Sequence, residues 1–165
     1  TAGSGDSSVP ADATALLTAV WDAHSDDEKF PAAGGDYETS VDDAPGAFDP
    51  SNADNLNFLL TVPTEDASLI DDAASLMHMM NANTFTAAAY HATGDTAELA
   101  QQLRDNIMQR QWMCGFPDKL VVAEVGDEYV VTVFGADELV DTFMTHLKGI
   151  YGDHAVHTAY DEAIL

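Results

Sequence analysis

The residues best suited to chemistry fall into a few short groups. Near the C-terminus, His154-x-x-His157 stands beside Asp153 and Asp161. Two imidazoles three apart supply half of a zinc shell, and a credible site needs a third ligand at a telling spacing. No HExxH is present, so a solvated tail is the simpler reading. Further upstream, Asp42, Asp43, Asp49, Asn52 and Asp54 offer hard oxygen ligands in a Gly/Pro-rich stretch, as calcium prefers. Their spacing does not follow the D-x-[DN]-x-[DN]-G loop, which favours an ordinary acidic loop. Cys114 is the lone cysteine and sits toward a helix end, where the dipole disfavours a thiolate. A small buried filler is its simpler role.

Arg104, Arg110 and Lys119 are three of only five cations and lie within sixteen residues. Together they would receive an anionic ligand or an acidic partner. Alternatively they neutralise neighbours such as Asp105 and Asp118. Met77, Met79 and Met80 suit an adaptable binding surface or an apolar core. No G-x-S-x-G, phosphate loop or dinucleotide fingerprint occurs. Paired acids such as Asp71-Asp72 and Asp137-Glu138 are sequence neighbours, so they diverge on helices instead of converging for acid/base work. No cofactor is implied.

Composition narrows the partners. The 165 residues carry 29 Asp or Glu against 5 Lys or Arg, a formal charge of −24. Nucleic acid is excluded as a partner, because phosphate binding needs cations that displace counterions. The same balance opposes docking of the protein face on an anionic membrane, leaving membrane attachment only through an N-terminal lipid. Such acidity also fits high-salt adaptation, where carboxylates keep the surface hydrated. Apolar residues make up 46% of the chain, but 26 are Ala, which leaves enough larger side chains for one modest core.

The elements that must position these residues are legible from spacing. Residues 1–9 read as a flexible Gly/Ser linker of the kind that follows a removed signal or a lipidated cysteine. Residues 10–24 form an amphipathic helix with Ala13, Leu16, Leu17, Val20, Trp21 and His24 on one stripe. Residues 25–55 read as a long acidic loop. The run 56–62 is a strand or a buried helical turn, and Thr64-Glu65-Asp66 looks like a helix start continued by Leu69, Ile70 and Ala73. Residues 84–91 form a strand with Phe85, Ala87 and Ala89 on one face. Asp95-x-x-Glu98 then opens a helix with core positions Leu99, Leu103 and Ile107, running to about Trp112. Strands at 120–125 and 128–134 flank Gly126-Asp127, a hairpin signal. A helix over about 136–150 follows, and 153–160 supplies a short last strand. The expected architecture is α+β. A β-α-β-β-α core forms an antiparallel or mixed sheet with helices on one face, preceded by the N-terminal helix. Residues 56–165 hold the α+β domain, and 10–165 make one unit.

Several of these segments carry a resemblance. They are Met79-Met80-Asn81-Ala82-Asn83, the strand Phe85–Tyr90, the polar helix Leu99–Trp112 with Arg104, Gln109, Arg110 and Gln111, and the hairpin Leu120–Phe134 around Gly126-Asp127-Glu128-Tyr129-Val130. The stretch from Leu69 to Ile150, about half of the chain, resembles a domain-of-unknown-function family of secreted and lipid-anchored proteins of Gram-positive bacteria. It departs from that family in having few lysines on the helix and Thr84 or Thr86 where an acid is usual. The resemblance implies a surface lipoprotein and no known activity, so it assigns no functional residue.

The leading expectation is a non-catalytic, extracytoplasmic binding or scaffolding domain, anchored by lipid or secreted, for an unidentified protein or small ligand at the cell surface. A second is a cation-binding protein or metal-dependent hydrolase using Asp42, Asp49 and Asp54 or the tail with His154 and His157. A third is a homo-oligomer pairing through an exposed strand edge.

Overall fold

A computed structural model describes residues 12–35, 40–60, 62, 64–78, 85–109, 117–126, 128–152 and 156–163. In chain order the elements are α1 (Ala13–Ala23), β1 (Ala32–Gly34), β2 (Val41–Asp42), β3 (Gly46–Phe48) and α2 (Ala53–Leu60). A 3₁₀ turn (Thr64–Leu69) leads into β4 (Ile70–His78). Then come β5 (Thr86–Ala92), α3 (Thr96–Gln109), β6 (Lys119–Val125), β7 (Tyr129–Gly135), α4 (Asp137–Tyr151) and β8 (Val156–Ala163).

All eight strands join one antiparallel sheet in the order β2-β1-β4-β5-β7-β6-β8, with β3 also paired to β4. The α+β class and the N-terminal helix are as expected. One particular differs: helices cover both faces of the sheet. Ala87, Ala89, Val121, Val131 and Val133 pack against α1 and α4, while Ala88, Tyr90, Val122 and Val130 pack against α2 and α3.

Topology explains why. Strand β7 lies between β5 and β6, which are therefore parallel to each other and linked by α3. Strand β6 lies between β7 and β8, which are likewise parallel and linked by α4. Both crossovers step the same way across the sheet, yet they start from antiparallel strands. The strong preference for one crossover hand then places α3 and α4 on opposite faces. With both faces covered, β6 (KLVVAEV) and β7 (YVVTVFG) lack polar alternation.

Local chemistry ends the helices. Asp12 caps α1, its side chain accepting from the Ala15 N–H at 2.7 Å. Asp72 of β4 accepts from the Ala13 N–H at 2.9 Å, tying the start of α1 to the sheet. Asp95 accepts from the Ala97 N–H at the start of α3. Helix α4 has no side-chain cap of its own; Asp118 accepts from the Asp137 N–H instead. Gly126 takes a positive φ of 61° between β6 and β7, which glycine adopts without strain.

Two stretches fold differently from their sequence reading. Thr64-Glu65-Asp66 opens only a 3₁₀ turn that ends at Leu69, and Ile70 and Ala73, also expected to continue a helix, enter β4. Pairing of β4 with β5 on one side and with β1 and β3 on the other overrides the local cap signal. The loop expected over 25–55 holds three strands of two or three residues and the start of α2. There Gly34 and Gly46 approach so closely that a Cβ on Gly34 would lie 2.2 Å from the Gly46 nitrogen. The linker 1–9, Tyr37, Met79, Met80, Arg110, Cys114, Asp153 and His154 lie outside the described residues.

Candidate functional site

The sheet separates two of the expected anion-binding cations. Arg104 stands on α3 and holds Glu162 of β8 through two nitrogens, Nε at 2.5 Å and Nη2; Nη1 meets Asp105 at 2.8 Å. Its guanidinium lies 5.6 Å from the Tyr160 ring centroid. The carboxylates, Glu162 first, push its pKa above the ordinary arginine value. Arg104 is thus a tie between α3 and β8. Lys119 opens β6 on the α4 side, where it pairs with Asp141 and stands 4.0 Å from Asp161. The sheet therefore does not bring Arg104 and Lys119 together.

The acidic stretch is occupied with local structure. Asp42 lies exposed on β2, Asp49 accepts from the Ser51 N–H and hydroxyl, Asn52 accepts from the Asn55 N–H at the start of α2, and Asp54 sits in that helix's first turn. His157 and Asp161 occupy opposite faces of β8, the first registered against Glu124 and the second against Val121. Among the described residues, no three His, Cys, Asp or Glu side chains are placed to hold a metal. Among them also, no helix is long and apolar enough to cross a membrane.

What the fold does assemble around Lys119 is a groove of about 410 Å³ between α4, β6 and β8. Helical spacing puts Asp141, Met144, Thr145 and Lys148 along one wall. Thr158 and Asp161 of β8 form the other, and Lys119 and Val121 of β6 the base. Val121 at the base and Met144 on the α4 wall, both mostly buried, give the floor of the groove its apolar lining. The Lys119 ammonium is raised above the usual lysine range, chiefly by its hydrogen bond to Asp141, against the opposing effect of burial. Lys148 lies in the last turn of α4 and forms no ion pair among the described residues. The groove holds two of the chain's five cations and two carboxylates, a locally balanced patch on a chain of charge −24.

Three further polar clusters escaped the sequence reading. A second groove of about 580 Å³ runs beside α3 and is lined by Glu65, Asp66, Glu98, Gln102 and Asp105 among others. Asp66 is buried there, and desolvation, with Glu65 and Glu98 nearby, raises its pKa. The Gln102 amide, oriented to donate, meets both Asp66 oxygens. Between α1 and α4, the His24 and His146 rings lie 4.7 Å apart. There His146 Nε2 donates to Glu28 at 2.9 Å, and His24 Nδ1 donates to the Val20 carbonyl at 2.8 Å. On β5, His91 faces Asp71 through Nδ1 at 2.5 Å and Glu128 through Nε2 at 3.2 Å. Only an imidazolium donates from both nitrogens, so the two carboxylates favour the protonated ring and raise its pKa. The partners in these clusters are separated by 20 to 122 positions, apart from His24 and Val20, so no local pattern announced them.

No family model matches this chain, and no curated protein or solved structure matches it either.

Proposed function

We propose that this chain is a non-catalytic, extracytoplasmic binding domain whose ligand lies in the groove between α4, β6 and β8. The observation that carries the reading is the pairing of Lys119 and Lys148 in one concave surface over apolar Val121 and Met144. Concave sites that combine apolar lining with a few convergent polar groups are where small ligands settle, and such sites occupy roughly 300–1,000 Å³. The other polar clusters have their groups turned toward one another, as Arg104 is toward Glu162 and His91 toward Asp71 and Glu128. Placement outside the cytoplasm with a lipid anchor is part of the same proposal. It rests on the resemblance of residues 69–150, and protease digestion of intact cells tests it.

Two minimal probes test the groove, acetate and isobutanol, each titrated into ¹⁵N-labelled protein and followed by NMR. The expected result is a common cluster of shifted amides at Val121, Thr145, Lys148 and Thr158. Shifts scattered over the surface, or gathered beside α3 around Glu98 and Asp105, would overturn the reading.

A further inference from the structure

We infer that the occupant of this groove is a free α-amino acid with an apolar side chain, an inference that rests on the groove being the binding site. Charge selects the class. Lys119 and Lys148 are offset within the groove by Asp141 and Asp161, while the rest of the chain is strongly negative. A purely anionic ligand meets long-range repulsion before it reaches the lysines. At physiological salt that repulsion is screened only beyond about 8 Å. A purely cationic ligand is drawn to acids over the entire surface and gains little selectivity here. A zwitterion carries no net charge, so it escapes the long-range penalty and uses the local pattern at close range.

The groups within the groove differ in availability. Lys119 is largely covered and already held by Asp141. Lys148 is exposed and unpaired among the described residues, so it is the natural partner of an incoming carboxylate. Asp161 is more than half exposed, and its ion-pair partner among the described residues, Lys119, is 4.0 Å away. Its carboxylate is therefore open to an ammonium. Thr158 supplies a hydroxyl on the same wall as Asp161, and Val121 with Met144 offers apolar contact to a side chain. Adjacent ammonium and carboxylate on one carbon, joined to an apolar group, match this set.

Leucine, leucinamide and N-acetylleucine separate the contributions, since the second lacks the carboxylate and the third the ammonium. Each is titrated into the labelled protein. Leucine is expected to shift the Thr145, Lys148 and Thr158 amides. Leucinamide, N-acetylleucine and the variants Lys148→Gln and Asp161→Asn should each weaken that binding at least tenfold. Both substitutions lie on exposed side chains, and an unchanged circular dichroism spectrum confirms the fold. Equal binding of either blocked derivative would overturn the zwitterion assignment while the groove remains a binding surface. Leucine shifts insensitive to both variants, or no leucine shifts where acetate and isobutanol produce them, would overturn it in the same way. Failure of all probes at the groove would remove both this inference and the reading beneath it.

Discussion

The two faces of the sheet bury comparable apolar cores but treat their polar groups differently. On the α2/α3 face, polar side chains are turned toward each other: Arg104 grips Glu162, Gln102 meets Asp66, and the Thr96 hydroxyl donates to Glu124 at 2.5 Å. On the α1/α4 face, Lys148 stands without an ion-pair partner among the described residues, Asp161 is only loosely engaged, and two histidines meet between the helices. Satisfied polar networks fix a structure, whereas unsatisfied groups at a surface retain capacity for a ligand. The contrast leaves the α4 edge of that second face for recognition, while the His91 clamp on the same face is paired like the groups opposite.

The apolar half of this comparison is the easiest to break. Phe143 on α4 and Leu103 on α3 are both fully buried. Phe143→Ala should cost about 3–5 kcal/mol and Leu103→Ala about 2–5 kcal/mol, read by urea unfolding. A cost below about 1 kcal/mol for either would mean that its helix does not pack on the sheet. The polar half predicts an asymmetry. Gln102→Ala strips a donor from buried Asp66 and should cost about 1–3 kcal/mol. Lys148→Ala, on the open face, should stay within about 0.5 kcal/mol in the same assay. Equal costs would erase the distinction between the faces.

Much of this arrangement could be read from sequence, for reasons specific to each element. Leu99, Leu103 and Ile107 repeat at helical spacing behind Asp95, and Gly126 punctuates two apolar runs, so α3 and the β6–β7 hairpin announce themselves locally. Strand β4 does not. Its residues IDDAASLMH follow a helix-like start and become a strand through partners on both sides. The short strands β1, β2 and β3 lack β-branched runs; β1 and β3 exist because β4 offers them an edge, and β2 pairs in turn with β1. Coverage of both faces did leave a signal: β6 (KLVVAEV) and β7 (YVVTVFG) are near-continuous apolar runs without the alternation of a one-faced sheet. Of the groove, Lys119 was legible as a scarce cation. Its grouping with Lys148, Asp141 and Asp161 depends on how α4 returns over β6 to place β8, which is tertiary information. Arg104 looked like a ligand-binding cation because its partner Glu162 lies 58 positions away.

The histidines sharpen the comparison with the smallest effects and opposite signs. His24, between α1 and α4, has its pKa lowered, first by burial and further by nearby His146 and Lys29. The Val20 carbonyl and Glu28 pull the other way. A histidine whose folded pKa lies below the unfolded value stabilises the protein at higher pH. That stability is lost as pH falls from about 6.5 through the folded value. At His91 burial also lowers the pKa, but Asp71 and Glu128 outweigh it and the net shift is upward. Its stabilisation is complete below about 6.5 and is lost as pH rises through the folded value. Acidification should therefore loosen the α1–α4 contact while tightening the clamp across β4, β5 and the β6–β7 turn. Unfolding measured from pH 7.5 to 5.5 resolves the two by difference. Relative to His24→Phe, the wild type should lose stability on acidification; relative to His91→Gln, it should gain. A difference that stays flat for either variant would show that the histidine does not titrate on folding, and that its surroundings respond to pH only through the general charge of the chain.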